Sequence, residues 1–280
     1  MTITHIVVLA LLQGITEFLP VSSSAHLIFP SQILGWPDQG LAFDVAVHIG
    51  TLLAVIFYYM SDLVQITTHT IESVIKRRQT PLSRLGWYII IATIPAGLAG
   101  LLLEGYVSTV ARSIHVIAYT TIGFGVLLGI ASYINRKINW RTIINIEGQR
   151  ADSLRQLTLQ QAVIIGFAQA LALIPGTSRS GITLTAGLFL GLRPEAAARF
   201  SFLLAIPIII ASGSLEGYKL ITDQTIGANP VEMLIGAVIS FVTAIIVINL
   251  FMRFISKSGM AVFVVYRILL GCALLYFFPA

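Results

Sequence analysis

The chain has 280 residues, 56% hydrophobic and only 10% charged, with a mean hydropathy of +0.90. Soluble domains carry about 25% charged residues, so this composition excludes a water-facing globular fold and describes an integral membrane protein. The net charge of +5 is then a membrane-topology signal, not a nucleic-acid footprint.

A bilayer core of ~30 Å takes ~20 helical residues to cross. The first apolar region, residues 3 to 34, is broken at its centre by QGITEFLPVSSSAH. It also lacks a basic leader and a small-residue cleavage pattern, so no cleavable signal peptide is expected. Non-helical backbone at membrane depth is tolerated only where protein or a water-filled cavity satisfies it, and the region is expected to be a re-entrant hairpin. Uninterrupted spans are expected near Phe43–Met60, Gly86–Leu103 and Ile114–Ile134. A second broken region, residues 158 to 192, carries IPGTSRSGITLT and reads as a second hairpin. Spans near Phe200–Leu215, Val231–Met252 and Met260–Phe278 complete the chain. The lone cysteine, Cys272, excludes an intrachain disulfide. The expected fold is therefore all-α, with six transmembrane helices and two re-entrant hairpins.

The two halves, roughly 1–135 and 155–280, each read as a hairpin followed by three crossings. An odd number of crossings makes them antiparallel, an inverted-topology repeat. The hairpins share an apolar-Pro step, with Ser23 and Ser178 each three residues after the proline and Gln13 and Gln169 ahead of it. In this topology one face receives the loops at 61–85, 135–160, 190–199 and 253–259, which hold thirteen of the seventeen Lys and Arg residues. That face is expected to be cytoplasmic. Arg112 and Lys219 fall on the other face, and Arg179 and Arg267 within apolar segments.

Arg179 is the most informative residue. A guanidinium at membrane depth costs about 2.5–3.5 kcal/mol on insertion scales and keeps its proton, so it needs an anion. One reading is an ion pair with Glu17. The other is a bidentate grip on an oxyanion such as phosphate, favoured by the small donors Thr177, Ser178 and Ser180 and the glycines around it. From the other half, Ser22, Ser23 and Ser24 follow Pro20 at a helix start, where free N–H groups favour an anion. Simple N-capping accounts for one of them.

Glu17 and His26 add acid–base chemistry. Gln13 and Glu17 share a helix face at a spacing of four, and His26 lies three residues after Ser23. Ser23, His26 and Glu17 are candidates for nucleophile, base and orienting group, while Glu17 is also a candidate ligand for a divalent cation. Asp44 and His48 read as a helix-end pair that either touches the site or does not. Arg267 beside Tyr266 is expected to be buried, with a partner the sequence does not name. Glu104 and Glu216 close their spans as interfacial residues.

Two stretches carry a specific resemblance: Gln13 to Glu17 running into Pro20 to Ser23, and Pro175 to Thr183. In them the chain resembles the undecaprenyl-diphosphatase family, the bacitracin-resistance phosphatases, with further similarity through FDVAVHIGTLLAV, ARFSFLLAIP and the late VYR. The resemblance implies removal of the terminal phosphate of undecaprenyl diphosphate in the bacterial inner membrane, at a site open to the outer face. It implies dependence on Mg2+ or Ca2+, with a polyprenyl diphosphate and membrane lipids as partners and no nucleic acid; a homodimer is a candidate assembly that the sequence leaves open. Carried over by position, Glu17, Ser23, His26 and Arg179 are the catalytic residues, with Gln13, Ser22, Ser24 and Ser178 around them. Gln13 stands where many relatives carry Glu, which removes one metal-binding carboxylate. The alternative function is a secondary transporter or flippase for a phosphorylated lipid or anion, an architecture that inverted repeats also serve.

Overall fold

The computed structural model describes residues 1–27, 29–36, 39–109, 113–137, 154, 157–222 and 229–278, and among these every regular element is helical. Arg112, Arg141, Arg150 and Arg155, which enter the charge argument above, lie outside the described residues. The chain is a multi-pass helical membrane protein.

The first broken region folds as α1 (Ile3–Thr16), a turn, and the short helices α2 (Ser23–Leu27) and α3 (Phe29–Leu34). Thr2 caps α1 by accepting the His5 amide at 3.3 Å. The chain continues through α4 (Leu41–Tyr58), α5 (Met60–Ile75), α6 (Pro81–Thr109) and α7 (Ile114–Arg136). The second broken region is α8 (Leu159–Ala170), a 3-10 turn at Leu171–Leu173, and α9 (Arg179–Phe189). A reciprocal cap starts α8: Thr158 Oγ1 accepts the Gln161 amide at 3.2 Å, and Gln161 Oε1 accepts the Thr158 amide at 3.0 Å, which satisfies two donors that a helix start leaves free. The chain ends with α10 (Pro194–Thr222), α11 (Pro230–Ser258) and α12 (Ala261–Phe277).

Among the described residues five helices are long and apolar enough to cross a membrane: α4, α6, α7, α10 and α11. The expected sixth span is α12, which has 17 residues and at ~1.5 Å per residue is about 26 Å long. The main departure from expectation is α5. Residues 61 to 85 read as a loop, yet 60 to 75 are helical. Its apolar residues are interleaved with Asp62, Gln65, His69 and Glu72, so its hydropathy is too low to register as a span. Asp62 in the first turn suits the helix dipole, and its carboxylate binds Arg199 on α10 at 2.8 Å.

Helices α4 and α11 pack closely, as do α7 and α12; α1 lies along α11, and α8 along α6. Glycine permits two of these approaches. A Cβ on Gly50 of α4 would collide with the Ala237 carbonyl and Ser240 hydroxyl of α11, and one on Gly166 of α8 would lie 2.6 Å from the Ala92 carbonyl of α6. Aromatic rings support the first turn from behind: fully buried Phe18 meets Phe202 edge-on at 5.3 Å, and Phe202 meets Phe251 at 5.8 Å. Large apolar side chains such as Leu102, Phe167, Leu250 and Tyr276 point outward, the arrangement that lipid as solvent permits.

Candidate active site

The site is built from the two broken regions. Helix α1 ends ahead of Pro20, which has no N–H to continue the ladder; Glu17 is its C-cap residue, its amide donating to the Gln13 carbonyl at 3.0 Å. The chain then turns through Ser22 at φ +72° into α2. In the second region Pro175 and Gly176 (φ +87°) make the turn, and Ser178 at φ +68° caps α9, its hydroxyl accepting the Gly181 amide at 3.1 Å. Gly176 is required twice over, because a Cβ there would also collide with Thr120 Oγ1. Positive φ at a non-glycine costs of order 1–3 kcal/mol and persists where the surroundings enforce it. Here it occurs at the same place in both halves, on the residue just before the helix. Each of these serines also pairs with the serine two residues on, Ser22 with Ser24 at 3.1 Å and Ser178 with Ser180 at 3.2 Å. The structural correspondence is therefore Ser22 with Ser178 and Ser23 with Arg179, one residue off the proline-based comparison of Ser23 with Ser178.

The two tips meet. Arg179 Nη2 donates to Glu17 Oε1 at 2.8 Å, and Ser180 Oγ donates to the Leu19 carbonyl at 2.8 Å. On its other oxygen, Oε2, Glu17 accepts from Gln13 Nε2 at 3.0 Å and Ser23 Oγ at 3.1 Å, with His48 Nε2 at 3.8 Å. The Glu17 and Arg179 side chains are only 8% and 14% exposed. Of the two partners weighed for Arg179, the structure shows the carboxylate, and its Nη1 also reaches the Ser201 carbonyl at 3.5 Å. One junction thus holds a carboxylate, a hydroxyl donating to it, and a guanidinium, contributed by both halves of the chain.

A family model described as bacitracin resistance protein BacA matches residues 6–273. The chain belongs to the BacA family. It is 53% identical to an undecaprenyl-diphosphatase of Teredinibacter turnerae over 277 residues, covering 98% of both chains. It is likewise 53% identical to one from Hahella chejuensis over 275 residues, again 98% of both. A Chromohalobacter salexigens undecaprenyl-diphosphatase matches at 50% over 271 residues, 97% of each.

In this BacA-family chain His26 is not where a Ser–His–Glu relay needs it. Its Nδ1 bonds the Ser22 carbonyl at 2.7 Å and its Nε2 the Tyr266 hydroxyl at 2.6 Å. A carbonyl only accepts, so Nδ1 carries hydrogen, and in the neutral ring Nε2 accepts the Tyr266 proton. The group that receives the Ser23 hydroxyl is Glu17. Ser22, Ser24 and Ser178 shape the two turns, and Thr177 is fully buried in the second. The Thr177 hydroxyl, Gln13 Oε1 and both amide atoms of Gln169 are buried without a hydrogen bond. Buried polar atoms are nearly always paired, with protein or with ordered water, and of these Gln13 and Thr177 belong to the two segments that meet at the junction.

The cation expected from the resemblance can be tested against the donors. Ca2+ takes about six to eight oxygens, and Mg2+ is usually held by one or two carboxylates together with waters and substrate phosphates. A cation resident without substrate therefore needs more free carboxylate oxygen than one brought in with a diphosphate. Both Glu17 oxygens already receive donors, and among the described residues no three His, Cys, Asp or Glu side chains cluster for a metal. The side chains here do not fit a resident cation, in keeping with Gln13 in place of a second carboxylate.

Three further residues hold the site or the helix that carries it: His48, whose contact the sequence leaves open, and Ser201 and Asn135, which it does not mark. From α4, His48 Nε2 reaches Glu17 at 3.8 Å while its Nδ1 bonds the backbone carbonyl of Asp44 at 2.7 Å, and the Asp44 carboxylate accepts from Gln39 at 3.1 Å. Ser201 holds Arg179 through its carbonyl and Thr183 through its hydroxyl at 2.7 Å. Asn135 on α7 is buried and donates to the Leu188 and Leu192 carbonyls at 2.8 and 3.0 Å, closing the far end of α9. Only His48 gave a signal, a polar residue one helical turn after another in an apolar span.

Proposed function

We infer that this chain hydrolyses undecaprenyl diphosphate to undecaprenyl phosphate and inorganic phosphate, returning the lipid carrier to cell-wall synthesis and so supporting bacitracin resistance. The full-length relatives named for that activity support the substrate. The single observation that carries the chemistry is the Ser23 hydroxyl donating to Glu17 at 3.1 Å while Arg179 lies on the other carboxylate oxygen at 2.8 Å. Binding or transport of an anion needs the guanidinium but gives no reason for a hydroxyl beside a buried carboxylate.

In this reading the terminal phosphate enters between Arg179 and Ser23, with the hydroxyls of Thr177 and Ser180 beside it. Ser23 Oγ attacks the terminal phosphorus, the bond from that phosphorus to the bridging oxygen breaks, and undecaprenyl phosphate leaves. The serine proton passes to Glu17 Oε2 and on to solvent. Water then attacks the phosphoserine; one of its protons restores the Ser23 hydroxyl by way of Glu17, and inorganic phosphate departs. Arg179 spreads the charge that builds on the phosphoryl oxygens, since positioning and charge stabilisation dominate phosphoryl transfer. His26, held between Ser22 and Tyr266, keeps the first turn in shape. Gln13 orients Glu17.

The two halves act as an inverted repeat in the bacterial inner membrane, the first hairpin opening to the outer face. Supporting the repeat are the matched positive-φ serines and the corresponding contacts of α1 with α11 and α8 with α6; supporting the orientation is the placing of most Lys and Arg in the loops of one face. The test is phosphate release from undecaprenyl diphosphate by the purified chain in detergent, where no gradient exists. A phosphatase releases phosphate there; a transporter releases none.

A further inference from the structure

Arg267 on α12 is the largest fully buried side chain, and among the described residues no carboxylate pairs with it. A buried guanidinium is costly unless its donors are met, and here backbone carbonyls from three separate segments meet them. Nε donates to Thr121 of α7 at 3.1 Å, Nη1 to Pro20 in the first turn at 3.3 Å, and Nη2 to Gly176 in the second turn at 2.9 Å. The side chain lies in a slot kept open by glycine. A Cβ on Gly125 of α7 would lie 2.9 Å from Arg267 Cβ, and one on Gly181 of α9 would lie 2.8 Å from its Nη1.

The reacting groups are spaced evenly around these contacts. Glu17 lies three residues before Pro20 and Ser23 three after it; Arg179 lies three after Gly176. The neighbouring Tyr266 ties down the same first turn through His26. We propose that Arg267 is a positioning residue that fixes the register of the two hairpin tips, so that the carboxylate and hydroxyl of one face the guanidinium of the other. Lysine is not equivalent, because its single ammonium cannot present a planar fork to three carbonyls at once. Arg267 touches none of the reacting groups; it acts through the backbone of the turns that carry them.

The proposal rests on the phosphatase reading for its kinetic consequence and not for its structural one, so the experiment has two readouts. Purified full-length Arg267→Lys in detergent is compared with wild type for phosphate release from undecaprenyl diphosphate and for backbone hydrogen exchange. Misplacement by about 1 Å can cost about 100-fold in rate, so kcat is expected to fall by about that factor with KM little changed. Exchange is expected to rise together in residues 17–22 and 174–178 and to stay unchanged in α4 and α11. If Arg267→Lys does not fold, Gly125→Ala decides: it presses on the arginine without removing its charge and should give the same paired exchange and a smaller kcat loss. Wild-type kcat, or exchange that rises in one turn only or across the whole chain, overturns the proposal. A wild-type protein that releases no phosphate sinks the phosphatase reading alone and leaves the exchange test standing.

Discussion

Replacing Glu17 with Gln keeps the side chain's shape and removes two things at once. The first is the proton acceptor for Ser23, 3.1 Å away; loss of a general base costs about 100- to 10,000-fold, or about 3–5 kcal/mol at 1.36 kcal/mol per tenfold. The second is the anion facing Arg179 at 2.8 Å, with the two side chains 8% and 14% exposed. Orphaning one partner of a buried pair destabilises by about 3–5 kcal/mol. The amide oxygen can still accept from Arg179 and the NH2 can face the Ser23 hydroxyl and the Gln13 amide oxygen, so the stability loss comes from the stranded Arg179 charge. Glu17→Gln should therefore lose both activity and thermal stability. Adding Arg179→Met, which removes the stranded charge, should recover most of the stability and none of the activity. Single-turnover phosphate release and thermal unfolding, run on both variants, separate the two effects. Glu17→Gln turning over within about threefold of wild type would refute the assignment of the base, and a double variant no more stable than the single one would refute the buried ion pair.

Ser23→Ala should abolish turnover and any labelled phosphate trapped on the protein from terminally labelled substrate; full turnover by that variant rules the serine out as nucleophile. Arg179→Lys keeps the charge and loses the bidentate fork, and kcat/KM should fall by at least about 100-fold in the same phosphate assay. Asn135→Ala takes a donor from the Leu188 carbonyl, which keeps the Gly191 amide, and leaves the Leu192 carbonyl unpaired, a loss of about 1–3 kcal/mol; a lowered unfolding temperature with kcat intact in the folded protein is the expected pattern. Without substrate, Mg2+ or Ca2+ should not raise the unfolding temperature of the wild type, whereas Gln13→Glu, by placing a second carboxylate beside Glu17, should make that temperature depend on the cation.

What the sequence made legible follows from charge and lipid. An arginine that cannot deprotonate must find an anion, and within apolar surroundings Glu17 was the evident one. Two prolines at the centres of two apolar regions, each beside a polar stretch, marked the breaks, whereas Pro95 and Pro207 in apolar surroundings lie within continuous helices. The contacts missed are those made to backbone. Arg267, Asn135 and Ser201 act through carbonyls or on them, and those groups become available only once turns exist to expose them, so no side-chain pattern announces them. Helix α5 was missed because its amphipathic face lies below the hydropathy of a span. The role first given to His26 rested on its spacing from Ser23, and α2 points the ring instead at its own turn and at Tyr266, 240 residues away.

The most direct measurement is a structure with a methylene-bridged undecaprenyl diphosphate analogue bound. The terminal phosphorus should lie about 3–3.5 Å from Ser23 Oγ, the separation of a near-attack geometry, with the Arg179 guanidinium on its oxygens and Glu17 still accepting from Ser23. A diphosphate bound away from the junction, with Arg179 left on Glu17 alone, would contradict the claim that the two hairpin tips form one catalytic centre.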